Sequence, residues 1–200
     1  MDAIEQGVYV AHHGNNNEFI AMDEYVIMQT PSGFLVQSNN IVFGTNGFQQ
    51  RAVLQTDIHW QMQKLQVASE ALNVEMCASI NDNKLYLQQK QPEVNFEKII
   101  DLQIDKYFFM YQGALVIPMI WLRGFDFENY EKVTYQMLPA GYAEIKQLSD
   151  VVSDNKVRTF SLLMYLQNFT DIVTIETDIS GKLLSLHSET NNVIIKIKSM

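Results

Sequence analysis

Residues 172–197 read IVTIETDISGKLLSLHSETNNVIIKI. From Ile172 to Asp178 apolar and polar residues alternate, many of the apolar ones β-branched. A period of two is the mark of a half-buried strand, since successive side chains leave opposite faces. Ile179-Ser180-Gly181 makes a turn, and Gly181 can take the positive φ that tight hairpins demand. Leu183 to His187 returns, Glu189 to Asn192 turns again, and Val193 to Ile197 runs back. The stretch therefore predicts a three-stranded meander.

The same signature recurs upstream. Val74 to Ile80, a turn at Asn81-Asp82-Asn83, and Lys84 to Gln89 predict a hairpin, because Asn and Asp tolerate left-handed φ. Glu24 to Gln29, Pro31-Ser32-Gly33 and Phe34 to Phe43 predict another. Asn46-Gly47 then turns the chain into Gln50 to Thr56. In Trp60 to Val67 the alternation sets Trp60, Met62 and Lys64 on one face and Gln61, Gln63 and Leu65 on the other. Ile99 to Asp105 reads as a strand, with Asp101, Gln103 and Asp105 opposite Ile100, Leu102 and Ile104. Gly113 to Phe127 is apolar but holds Pro118, which fits an edge, a bulge or a packed loop rather than a central strand. Val133 to Leu138 and Tyr142 to Leu148 read as strands. Arg158 to Leu166 fits a strand or a short helix, and Ser149 to Lys156 reads as a surface loop. No repeat or Pro/Gly/Ser-rich linker interrupts the pattern. The expectation is one β-rich domain over residues 1–200. Its fold class is mainly β: a curled antiparallel sheet, roll-like or barrel-like, of about a dozen strands with one or two short helices.

Charge narrows the partners. Lys and Arg number 14 against 23 Asp and Glu, a formal net charge of −9. Such a chain is poorly suited to a nucleic-acid backbone or an anionic lipid surface. Its polarity comes from amides instead, 15 Asn and 17 Gln. They fall in turns or opposite apolar residues on strands (Gln61, Gln63, Gln103, Gln136), as an uncharged outer skin would. The start, MDAIEQGVYV, lacks the pattern of a secretory signal. The apolar run Gly113–Leu122 is short of the ~20 residues that span a bilayer. A cytoplasmic protein that is not an integral membrane protein is the expectation. Cys77 lies in a strand-like run, which favours a buried inert thiol.

Few residues carry chemistry on their own. His12-His13 would point to opposite faces of a strand, and no Cys-x-x-Cys or His-Glu-x-x-His spacing occurs, so no metal and no cofactor is expected. Asp57 with His59, or Asp101 with Asp105, could form a catalytic pair for a small hydrolase or isomerase. An Asp bonding turn amides beside a half-buried Trp explains the first better, and a solvated face explains the second at least as well. Arg123 follows the apolar run Val116-Ile-Pro-Met-Ile-Trp-Leu122. It reads either as a structural arginine paired with an acid such as Asp126, or as an anion-fixing arginine at the mouth of an apolar pocket.

Several landmarks come in a recognisable order. They are the strand pair Tyr25–Phe43 with Gly33 in its turn, Asp57-Ile-His-Trp60, Asp101-Leu-Gln-Ile-Asp105, Val116-Ile-Pro-Met-Ile-Trp-Leu122, Met137-Leu-Pro139, Phe160, and Thr174 to Gly181. This order resembles the glycolipid-binding domain family of cytosolic bacterial proteins, over roughly Glu24 to His187. The chain departs from that family where Gln61, Met62 and Gln63 follow the Trp in place of an arginine, and where Arg123 sits four residues late. The resemblance implies a spiral β-roll and a lipid-like or glycolipid-like ligand. The leading expectation is thus a non-enzymatic binding protein with an apolar groove lined by Trp60, Tyr107, Trp121 and Arg123. The alternative is a protein-interaction or structural module with a filled core. Oligomeric state stays open.

Overall fold

The computed structural model describes residues 2–92, 95–102, 109–111, 120, 123–124, 132–138, 142–166 and 169–198. The described residues build fifteen strands in one sheet. In chain order these are β1 (Ala3–His13), β2 (Phe19–Thr30), β3 (Gly33–Val42), β4 (Phe48–Asp57), β5 (Met62–Ser69), β6 (Val74–Asn81), β7 (Lys84–Lys90) and β8 (Asn95–Asp101), then β9 (Phe109–Tyr111), β10 (Lys132–Leu138), β11 (Tyr142–Val152), β12 (Val157–Leu166), β13 (Phe169–Asp178), β14 (Leu183–Ser188) and β15 (Val193–Lys198). The order across the sheet is β8 to β1, then β15 down to β9. It is two meanders joined at their centre, where β1 pairs antiparallel with β15 (Tyr9 opposite Ile197, Ala11 opposite Ile195). Every neighbouring pair is antiparallel except β9 with β10. The sheet curls without closing, so β8 and β9 are its two edges.

One face carries the core. Tyr9, Tyr25, Ile27, Val36, Leu54, Leu65, Ala78 and Leu87 supply it from the first meander, and Phe160, Leu162, Val173, Ile175, Leu186 and Ile195 from the second. Burying a Leu or Ile side chain stabilises the fold by about 1.5–3 kcal/mol each, which makes this face the main source of stability. Bulges at Ala3/Glu5, Ala11/His12, Gln55/Thr56, Gln147/Ser149 and Glu176/Thr177 shift the register. Each extra residue bends its strand and increases the twist, which helps a wide sheet to curl.

The mainly-β fold agrees with the sequence reading, with five differences. The described residues hold no regular helix, and β1 was not foreseen. The alternation expected from Trp60 onward breaks: Met62 and Leu65 are both buried because a register shift opposite Gln55/Thr56 flips the phase within β5. The strand expected at Ile99–Asp105 runs instead over Asn95–Asp101, while Gln103, Ile104 and Asp105 lie outside the described residues. The Ser149–Lys156 segment is not an open loop. β11 runs through Val152, and a tight turn follows at Ser153–Val157.

Candidate functional site

Two hairpin turns of different sequence share an Asp-capped backbone, and the Ser153–Val157 turn makes the same backbone bonds with Lys156 at φ 59°. In Asp57-Ile-His-Trp60-Gln61, the Asp57 amide donates to the Gln61 carbonyl (2.9 Å) and the Trp60 amide to the Asp57 carbonyl (3.2 Å). The Asp57 carboxylate accepts from the amides of His59 (2.8 Å) and Gln61 (2.9 Å). In Asp178-Ile-Ser-Gly181-Lys182, the corresponding backbone bonds are 3.0 and 3.1 Å. The Asp178 carboxylate accepts from the amides of Ser180 (2.8 Å) and Lys182 (3.0 Å) and from the Ser180 hydroxyl (2.6 Å). The fourth residue of each turn takes a left-handed conformation, at φ 80° for Gly181 and φ 62° for Trp60. Glycine takes that region without steric cost, whereas a bulky residue pays about 1–2 kcal/mol. The other non-glycine residues at positive φ are Asn17, Asn73, Asp82, Asn83, Asn192 and Lys156, so Trp60 is the one aromatic among those described.

What holds Trp60 there is packing. Its ring stacks on Phe34, with centroids 3.8 Å apart and planes 4° from parallel. The guanidinium of Arg123 lies over it, 5.1 Å from the ring centroid. The next residue, Gly124, approaches so closely that a Cβ there would lie 2.2 Å from the His59 carbonyl oxygen, so only glycine fits. The segment carrying Ile120, Arg123 and Gly124 thus docks on the turn between β4 and β5. Ile120 is buried in the core.

Arg123 then reaches β1. Its Nη2 donates to both carboxylate oxygens of Glu5, at 2.8 and 2.7 Å. The Tyr25 hydroxyl donates to Glu5 Oε1 (2.7 Å), and Lys182 Nζ stands 3.5 Å from the same oxygen. The side chains of Arg123 and Glu5 are only 9% and 16% exposed, so the pair is largely out of water. Tyr9 stacks on Tyr25 (centroids 5.1 Å, planes 14° apart) and donates to the Leu183 carbonyl (2.9 Å). Burial pushes the Tyr9 hydroxyl up to about 12, with the Glu5 carboxylate adding to the rise. Tyr25 is driven higher still by burial, then by Tyr9 and Glu5, so both phenols stay protonated. Burial alone would raise the Asp178 carboxyl. The Ser180 and Lys182 hydrogen bonds and the Arg123 charge outweigh it and hold that group below its ordinary value. The result is a chain of contacts from the Trp60 turn through Arg123 and Glu5 to Lys182 in its sister turn, with Tyr25 closing it from β2.

Of the four residues singled out from sequence, the structure brings Trp60 and Arg123 together, and Tyr107 and Trp121 lie outside the described residues. Arg123 pairs with Glu5; Asp126 also lies outside the described residues. Glu5, Tyr25, Phe34 and Lys182 were missed. The signal that could have found them is the shared Asp-Ile start of the two turns, one continuing with Trp and the other with Gly. Asp57 Oδ1 accepts two amide hydrogen bonds of its own turn, in keeping with the reading of Asp57 as a residue that bonds turn amides. Asp101 is 82% exposed beside Lys84 at 3.8 Å, and Asp105 lies outside the described residues.

Other polar features stand apart from this end. Asp23, Asn40 and Gln50 follow one another in register across β2, β3 and β4 on the buried face. Ser38 donates to Asp23 (2.6 Å), and the Asn40 side-chain oxygen has no hydrogen-bond partner among the described residues. On the outer face, shallow depressions of about 450 and 530 Å³ run across β4–β8. Arg51, Glu75 and Lys90 line the first beside Gln66, Gln88 and Cys77, so charges share this face with the amides expected there. Cys77 is half-buried on this outer face rather than in the core, because Met76 and Ala78 take the inward positions. Among the described residues no three His, Cys, Asp or Glu side chains gather as a metal site would require. No helix of the described chain is long and apolar enough to cross a membrane.

The fold and this lattice of contacts define a β-barrel-like protein with a curled, unclosed antiparallel sheet. No family model and no curated protein matches the chain. Among solved structures it is similar to a β-barrel-like protein of the domain of unknown function DUF1849 from Brucella abortus, with a TM-score of 0.56 and 11% identity over 96% of this chain and 94% of that one. At that identity the likeness is one of fold alone. A DUF1089 family protein from Pseudomonas aeruginosa aligns with a TM-score of 0.48 and 9% identity over 81% of this chain and 87% of its own.

Proposed function

We propose that the chain is a non-catalytic binding module that holds a lipid-like molecule in an apolar groove beside Trp60 and Arg123. The observation that carries this reading is the strained Trp60. The sister turn makes the same bonds with glycine, yet here an indole is kept at φ 62° between Phe34 and a guanidinium. Strain of that kind is retained where a side chain must face a particular place, as at ligand clamps. An aromatic pair beside an ion pair suits a molecule with an apolar body and a polar end. Arg123 already has Glu5 as its carboxylate, so the polar end that suits this site is an uncharged or zwitterionic one. The pattern shared with the glycolipid-binding family leans the same way and adds a sugar-bearing lipid to the class. Tyr107 and Trp121 belong to the same proposal on sequence grounds.

Native mass spectrometry of the purified chain, beside denaturing extraction, tests it. The wild type should carry an organic molecule released on unfolding, and Trp60→Gly should carry much less while remaining folded. No co-purifying molecule, together with no thermal shift on adding long-chain fatty acids, phospholipids or glycolipids, would sink the reading.

A further inference from the structure

Among the described residues, six large hydrophobic side chains are more than half exposed: Ile4 (51%), Ile58 (64%), Ile99 (62%), Val151 (62%), Val152 (63%) and Ile179 (70%). All lie at one end of the sheet. Ile58 and Ile179 are the second residues of the two sister turns, Val151 and Val152 lead into the Ser153–Val157 turn, and Ile4 opens β1. Ile99 is two residues from the same end of β8. At the opposite end the most exposed are Phe19 (41%), Phe43 (43%) and Leu72 (49%). Leu148 (48%) lies in the middle of β11, so the most exposed side chains are those at the first end.

We propose that this turn-bearing rim docks on an uncharged or zwitterionic lipid layer. The apolar groups are spread across the rim, Ile58 and Ile179 at turn apices and the others near strand ends, with the polar apices Asp82-Asn83 and Asp154-Asn155 beside them, and do not form one flat patch or groove. That arrangement suits a deformable apolar phase better than a complementary protein surface. A turn entering such a phase must satisfy its backbone donors internally, and the Asp57 and Asp178 carboxylates do this for four amides behind the two isoleucines. The net charge of −9 disfavours anionic lipid. The inference rests on the proposed function in one respect: the Trp60–Arg123 site lies at this rim, so a docked rim would put that site beside a source of lipid-like ligand.

Flotation of the full chain with phosphatidylcholine vesicles tests the rim. The wild type should float. An Ile58→Ser, Ile179→Ser double variant, altered only at exposed tips, should keep its circular dichroism and melting temperature and lose affinity by about ten-fold or more. Adding phosphatidylserine should weaken binding, and Phe19→Ser with Phe43→Ser should not. Wild type that stays in solution at millimolar lipid, or a double variant that floats equally well, overturns the proposal. So does wild type that self-associates through the rim, seen as a doubled mass that the double variant abolishes. Vesicle binding needs no bound ligand. A protein that floats but carries no molecule therefore breaks the proposed function and leaves the rim standing, and the reverse result does the opposite.

Discussion

The turns at Asp57–Gln61 and Asp178–Lys182 solve one backbone problem with two side chains. Both close the hairpin with an Asp carboxylate, both place an isoleucine at the exposed apex, and both need a left-handed residue fourth in line. At Gly181 the local chemistry and the fold agree. At Trp60 they do not, and the conflict is offset by Phe34 beneath the ring and Arg123 above it. A relaxed turn and a strained one of equal geometry separate what a hairpin needs from what this particular hairpin has been given to hold.

The largest effect should come from cutting the link between the two turns. Glu5→Ala leaves Arg123 buried without its carboxylate and also strips Lys182 and Tyr25 of theirs. Removing one partner of a buried pair typically costs about 3–5 kcal/mol, read here as a drop in the urea midpoint. An unchanged midpoint would mean that the pair is not buried in solution. Next, Gly181→Val puts a β-branched residue at φ 80° with no stacking partner to compensate. It should lose about 1–2 kcal/mol or slightly more, as measured by calorimetry.

A smaller difference separates the two caps. The Asp178 carboxylate accepts three hydrogen bonds within its turn and feels Arg123, whereas that of Asp57 accepts two. Asp178→Ala should therefore cost more than Asp57→Ala, by about 0.5–1 kcal/mol. The sign with pH follows from the lowered Asp178 pKa. Its contribution is present above the ordinary value of 3.8 and is lost as pH falls through the lower folded value. Stability curves of wild type and Asp178→Asn should converge in acid, and parallel curves would refute the assignment.

The smallest effect is the most telling. Trp60→Gly gives the strained turn its sister's residue. Relief of about 1–2 kcal/mol opposes the loss of a stack worth about 0.5–1.5 and a cation–π contact of similar size. The variant should melt within a few degrees of wild type. A collapse in stability would make Trp60 a core residue first and remove the case for a retained functional side chain.

Much of the fold was legible. The meander at Ile172–Ile197, the Val74–Gln89 hairpin and the Gly33 and Asn46-Gly47 turns appear near their expected places, because period-two alternation and turn residues act within a few positions. Phase was less secure. Met62 and Leu65 share a face because a register shift lies between them, and a bulge leaves little trace in composition. β1 was missed because Gly7, His12 and His13 interrupt its alternation. The site was legible only in part. Trp60 and Arg123 were singled out by residue type, but neither φ at Trp60 nor the partner of Arg123 can be read from neighbours in the chain.

The amino-acid sequence by itself determined a mainly-β chain and its hairpins, since each depends on local pattern. Only the tertiary structure decided that β1 joins β15, that Glu5 meets Arg123 across 118 positions and that Tyr9 meets Leu183 across 174. Those contacts arise when a wide sheet curls and brings one end of many strands together, a non-local outcome that no short window of residues records.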